Sequence, residues 1–312
     1  MKAVSGKRMT RAIVAGAAGM TLAFSGLTTA NAVTVSAPVD SAAAVADVSP
    51  AMTEVAGASA QQQAVTGNVV TISGDKANYE VSLPVSESAE TTLSDGLLEI
   101  SDSSSSSIVP VVQEDGSVAI HSVLADASAP TSYDYTLDLP AGSSIQVDPN
   151  GGGAVAVGSD GEALLVIGAP WATDANGNSI PTSYSASGNV LTQHVQISAD
   201  TAFPVVADPW LGVNLVASYS WTWVSGSGWK LNVNPTLAAR SFTGSYGYIV
   251  IGRAGWDELR NRIPSAQRTR LNESGKGQYV CHMGFAGFDA QWNLELWKKA
   301  KSDAAWVLSK CN

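Results

Sequence analysis

Phe203-Pro204-Val205-Val206-Ala207-Asp208-Pro209 is the stretch on which the reading of this chain turns, because composition changes across it. From Val33 to Asp208 there are 21 Asp/Glu and a single base, Lys76; from Pro209 to Asn312 there are 12 Lys/Arg and six Asp/Glu. The first part carries a formal charge of −20 and the second +6, so the net −10 of the whole chain describes neither. Eight of the nine tryptophans, all but Trp171, and both cysteines also lie beyond Asp208. A domain boundary at residue 208 follows, with an acidic domain over 66–208 and a basic, Trp-rich domain over 209–312.

Upstream of the boundary the texture is that of an all-β fold. Short β-prone runs recur at Val69–Ile72, Tyr79–Leu83, Ile108–Val112, Tyr133–Leu137, Ala154–Val157 and Ala163–Ile167, broken by Gly, Asp, Asn, Ser and Pro about every 10–15 residues. This spacing predicts an antiparallel, sandwich-like domain with no long amphipathic helix. Gly67-Asn68-Val69-Val70-Thr71 is echoed by Gly188-Asn189-Val190-Leu191-Thr192, too short a match to define a repeat. Residues 33–65 are mostly Ala, Val, Ser and Gln with no aromatic residue and no sustained periodicity, and are expected to be a disordered leader.

Residues 1–32 read as an export signal: Lys2, Lys7, Arg8 and Arg11, an apolar run from Ala12 to Phe24, and Ala30-Asn31-Ala32 before the cut. The apolar run falls short of the roughly 20 residues a spanning helix needs. The expected location is extracellular, with no transmembrane segment in the mature chain. Export leaves Cys281 and Cys311 where a disulfide persists, and favours that pairing over two free thiols.

Downstream of the boundary a small α+β domain is expected. Tyr219, Trp221 and Trp223 alternate onto one strand face, and Ser225-Gly226-Ser227-Gly228 supplies a turn. Pairing Trp223 with Trp229 sets Trp221 against Leu231 and Tyr219 against Val233, whereas a one-residue slip would face the aromatics with Lys230, Asn232 and Asn234. The stripe reads first as a buried face and second as a ligand platform. Trp256, Leu259 and Ile263 then share a helix face, with Asp257 and Glu258 read into its first turn, Arg260 and Arg262 near its end, and Pro264 as the stop.

Gln278-Tyr279-Val280-Cys281-His282, followed by Trp292-Asn293-Leu294-Glu295 and a terminal Cys311-Asn312, is the most distinctive constellation. Here the chain resembles a family of actinobacterial secreted proteins classed as a domain of unknown function, over roughly its last hundred residues. The Phe203–Pro209 stretch similarly resembles a segment closing the N-terminal region of many secreted proteins of high-GC Gram-positive bacteria. The family resemblance implies a fold and a disulfide and supplies no activity. Lys298-Lys299-Ala300-Lys301 stands where the family pattern has an Arg-Pro, replacing a planar guanidinium fork with point charges.

For chemistry, the candidates are His282 with Glu295, or with Asp289, as an acid/base pair. Asn293 and Gln278 would orient or stabilise, and Lys298 and Lys299 would hold an anionic substrate, an arrangement suited to phosphodiester or glycosidic cleavage. The same residues also read as a hydrogen-bonded brace beside the disulfide. No metal-ligand spacing, nucleophile motif or cofactor signature is present, so no cofactor is implied. The bases of the second half suit a cell-wall component or another anionic surface, or the acidic half of the same chain; no nucleic-acid module matches. Two functions follow: a non-enzymatic extracellular binding module, and a secreted hydrolase or toxin-like effector acting through His282 and Glu295.

Overall fold

Ile108-Val109-Pro110-Val111-Val112 is apolar at every position instead of alternating, which is the pattern of a strand covered on both faces. The computed structural model of the chain describes residues 39–312, apart from 54, 75–76, 87–88, 95, 104, 151, 237–238 and 241–246. In it the strand Ser106–Val112 and its neighbour Val118–Leu124 are buried almost throughout. Residues 1–32, expected to be an export signal, and Lys76 lie outside the described residues.

These two strands are central in a ten-stranded antiparallel sheet. It runs from Glu90–Ser94 through Leu97–Ser103, Ser106–Val112, Val118–Leu124, Trp210–Gly212, Ala163–Ile167 and Ala154–Val157 to Ser144–Val147. Val205–Asp208 pairs with Val118–Leu124 and carries Trp171–Thr173 beside it. A six-stranded sheet, ordered Val65–Thr66, Val69–Ile72, Tyr79–Ser82, Ser132–Leu137, Val190–Val195, Thr182–Ser187, packs against it. Between them Ile72, Ile120, Tyr135, Leu165 and Leu191 form a common core, so the acidic part is a mainly β sandwich, as its spacing predicts. The Gly67-Asn68 echo is a turn device: Gly67 and Gly188 adopt φ of 60° and 61° at hairpin turns, a region that glycine enters without strain.

What covers the outer face of the large sheet corrects the expectation of a disordered leader. Helix α1 (Ser41–Val48), a 3-10 turn (Pro50–Thr53) and helix α2 (Ala58–Ala64) lie within it. Ala42, Val45 and Ala51 pack on Val109, Val111, Ala119, Val123 and Val206. Asp40 caps α1 by accepting from the Ala43 amide at 3.0 Å. Polar anchors complete the seat. Gln61 donates to the Val112 carbonyl (2.8 Å) and accepts from its amide (2.9 Å), imitating a strand partner. Ser49 Oγ meets His121 Nε2 at 2.7 Å, and Gln113 donates to the Ala51 carbonyl at 3.1 Å. Helices of two turns are too short to print a periodicity, and their stability comes from the sheet they cover.

The strand Trp210–Gly212, placed beyond the boundary by composition, is threaded back into the large sheet, between Val118–Leu124 and Ala163–Ile167. The second fold begins at Val216. Its sheet consists of Val216–Val224, Gly228–Pro235 and Trp292–Glu295, all antiparallel, and the hairpin register is the one that aromatic matching requires: Trp223 opposite Trp229, Trp221 opposite Leu231, Tyr219 opposite Val233. Helices α3 (Tyr248–Arg262), α4 (Ser265–Arg268), α5 (Glu273–Phe285) and α6 (Asp303–Leu308) complete it. Helices α3 and α5 approach closely because a Cβ at Gly255 would stand 2.5 Å from Tyr279 Oη.

Helix α3 starts at Tyr248, so Asp257 and Glu258 are mid-helix and not in its first turn. Glu258 is buried and accepts from the amides of Leu215 (2.7 Å) and Val216 (3.1 Å) while pairing with Arg262 at 2.9 Å. Its place is set by the hairpin's first residues and not by the macrodipole. The core of this part also takes in Val155, Val157 and Val166 of the large sheet, packed with residues such as Ile251 and Trp256. The two halves therefore share an apolar contact inside one unit, 38–312. Among the described residues no helix is long and apolar enough to cross a membrane.

Candidate functional site

The residues of the Gln-x-x-Cys-His, Trp-Asn-Leu-Glu and Cys-Asn segments come together where α5 lies along the strand Trp292–Glu295. Asn272 starts α5 by accepting from the Gly275 amide at 2.9 Å. One helical turn later Gln278, fully buried, reaches the strand: its Oε1 accepts from the Glu295 amide (2.8 Å) and its Nε2 donates to the Glu295 carbonyl (3.1 Å). The same Nε2 donates to Ser274 Oγ at 3.0 Å. The C-terminus closes the other side. With its amide nitrogen turned toward the acceptors, Asn312 donates to the Asn293 carbonyl (3.1 Å) and to Gln278 Oε1 (3.1 Å). Cys311 is bonded to Cys281 with the Cα atoms 5.3 Å apart, beside the buried Trp306.

His282 is buried next to this disulfide. Its Nδ1 lies 2.7 Å from the Gln278 carbonyl, which can only accept, so Nδ1 carries the proton. Burial holds the imidazole below its ordinary pKa, partly opposed by the Gln278 carbonyl and the charge of Asp289. The ring lies 6.0 Å from that of Trp292, tilted by 33°. No hydrogen bond among the described residues joins His282 to Glu295. The Glu295 carboxylate instead pairs with Lys298 at 2.5 Å, both partly exposed. Lys299 is exposed, and Asn293 keeps a buried Oδ1 without a hydrogen-bond partner. Three clefts in or beside this half are lined by other residues, among them Tyr79, Glu162 and Glu258 in one of about 280 Å³ at the junction with the large sheet. The structure thus gathers Gln278, His282, Asn293 and the Glu295 main chain into a packed brace, with Lys298 and Lys299 outside it.

A different cluster is open to solvent. The aromatic stripe of the hairpin starts on the core, beside Leu231 and Val233, and runs out past it toward the turn. At its outer end Trp223 is 60% exposed and meets Trp229 edge-on at 5.2 Å; Trp221 meets Trp229 at 6.1 Å. Trp297 packs against the turn at Gly228. The Arg270 guanidinium sits 4.1 Å from the Trp229 ring centre and 5.3 Å from that of Trp221. Alternation exposed the tryptophans of this platform to sequence reading. Arg270 counts in the sequence only as one of the bases of the second half, and its place over Trp229, like that of Trp297 at the turn, has no local signal, because the two arrive from a loop and from the segment after the third strand.

Residues 216–312 match a protein family described as "Protein of unknown function (DUF2599)", a span that begins at the first strand of the three-stranded sheet. No curated protein and no solved structure matches the chain.

Proposed function

We propose that the protein is an exported, non-enzymatic binding module whose ligand docks on the Trp223–Trp229–Arg270 platform. The observation that carries this reading is the exposure of Trp223 beside a tryptophan cluster whose backbone is fixed by hairpin pairing. A large aromatic left in water on a rigid strand is costly unless something covers it, and Trp and Arg are the side chains that concentrate binding energy. Indole faces stack on the C–H faces of sugar rings, while a guanidinium offers a planar fork to carboxylate or phosphate substituents. The matching ligand class is an anionic polysaccharide or wall polymer outside the cell. The export-signal pattern, the disulfide and the lack of a membrane-crossing helix among the described residues are compatible with that location.

The test is sedimentation of the protein with insoluble cell-wall polymer and titration with its soluble fragments. Trp223→Ala should weaken binding at least about tenfold while leaving circular dichroism and Tm near wild type, since Trp223 is exposed. Equal binding by Trp223→Ala and wild type would sink the reading. Polymer cleavage that disappears in His282→Gln would replace it with the hydrolytic one.

A further inference from the structure

The chain has two Asp–Pro peptide bonds, Asp148–Pro149 and Asp208–Pro209, and the fold treats them oppositely. An aspartate can close a five-membered ring onto its own main-chain carbonyl, and proline's tertiary amide nitrogen leaves more readily than an ordinary one. Asp148 is engaged: its Oδ1 accepts from the Asn150 amide at 2.9 Å. Asp208 is 2% exposed, at the end of the strand Val205–Asp208, and its Oδ1 has no hydrogen-bond partner. Its main-chain carbonyl, the one joined to Pro209, accepts from Tyr184 Oη at 3.2 Å. Burial raises the Asp208 pKa well above its ordinary value, which favours the protonated carboxyl.

We propose that Asp208–Pro209 is a self-cleavage site, with Asp208 as nucleophile and Tyr184 as the donor that stabilises the carbonyl oxygen during attack. A carboxyl oxygen of Asp208 bonds to the Asp208 carbonyl carbon, and negative charge builds on the oxygen facing Tyr184 Oη. The bond from that carbon to the Pro209 nitrogen breaks, and the nitrogen leaves as a secondary amine carrying the proton the carboxyl gave up. One water then opens the cyclic anhydride, leaving Asp208 with two carboxyls at the end of the first fragment. The second fragment starts at Pro209 and holds the entire three-stranded sheet and its helices. It remains docked, because Trp210 and Leu211 pair with Ala119 and Val118, and Leu211 and Gly212 with Ile167 and Val166.

The experiment is prolonged incubation of the purified full-length protein, followed by denaturing electrophoresis and intact mass measurement. Expected are two chains, cut after Asp208, whose masses sum to that of the parent plus one water, with Asp148–Pro149 intact and the native elution volume unchanged. Asp208→Asn should abolish the cut. Tyr184→Phe, which keeps the ring and its packing, should slow it by at least about tenfold, as loss of an oxyanion donor does. The urea-unfolded chain in the same buffer is the reference, and should cut slowly and equally at both bonds. Wild-type protein that cuts at Asp208 no faster than the unfolded reference, equal cutting at both bonds in the folded state, or a Tyr184→Phe rate equal to wild type would overturn the proposal.

Discussion

Gln278 pairs the two polar ends of its carboxamide with the main-chain amide and carbonyl of Glu295, 17 positions away, as a neighbouring strand would. The pairing fastens α5 to the outer strand of the three-stranded sheet from a fully buried position. Gln278→Ala leaves a buried amide and carbonyl unpaired, and should cost about 2–4 kcal/mol. Glu295→Ala removes only a partly exposed ion pair and should cost under about 1 kcal/mol. Urea unfolding of both variants checks this ordering, and equal losses would contradict it.

The Cys281–Cys311 bond closes a loop with a sequence separation of 30. Reduction, or Cys281→Ser with Cys311→Ser, should lower stability by about 3–4 kcal/mol in the chain-entropy description. Reductant should lower the wild-type denaturant midpoint to that of the double variant and leave the midpoint of the double variant unchanged.

Glu258 is a buried carboxylate that accepts from two amides and pairs with Arg262. Glu258→Gln keeps the volume and removes the charge. A loss of about 2–4 kcal/mol is expected, because a charge-assisted network is left with a mismatched donor. Thermal unfolding is the readout, and a change below about 0.5 kcal/mol would show the network to be dispensable.

His121 links the N-terminal segment to the sheet from a fully buried position, and its pKa is lowered to about 4 by desolvation, opposed by the Val109 carbonyl. Between pH 6.5 and about 4 the unfolded chain therefore binds a proton that the folded chain refuses, and stability falls as pH falls through that window, by about 3 kcal/mol in all. Asp208 acts with the opposite sign. Its folded-state pKa is raised, so its contribution is fully present below the unfolded value of 3.8 and is lost as pH rises. Urea titrations across pH 3.5–8 should show Asp208→Asn gaining most over wild type at the alkaline end. His121→Gln should flatten the acid limb.

Residues 39–64 cover an apolar sheet face formed by Val109, Val111, Ala119, Val123 and Val206. Deleting them should expose that face, raising binding of a hydrophobic dye and promoting association, measured by fluorescence and light scattering. A deletion variant that stays monomeric and dye-free would show the segment to be dispensable.

How much was legible depended on the range of the interaction. Strand runs such as Val69–Ile72 and Ala154–Val157, and the Trp223–Trp229 register, are written in alternation over a few residues, and alternation is what a pleated strand reads out. The seating of residues 39–64 has no local signal, because Ala42 and Val45 are meaningful only against Val109 and Val123, partners more than 60 positions away. The role of Glu258 is hidden for the same reason, since the amides it serves belong to Leu215 and Val216. Of the candidate site, the sequence named the residues that gather, Gln278, His282, Asn293 and Glu295, but residue type alone could not distinguish an open acid/base pair from a packed brace.

By itself the sequence determined the β texture of the acidic part, the hairpin register and the one possible cysteine pairing, because each rests on local pattern or on having only two cysteines. Tertiary structure alone decided that Trp210–Gly212 returns to the large sheet, that Gln278 serves Glu295, and that Arg270 lies over Trp229. Those contacts depend on which elements a twisted sheet and two crossing helices bring side by side, and such distances are not written in neighbouring residues.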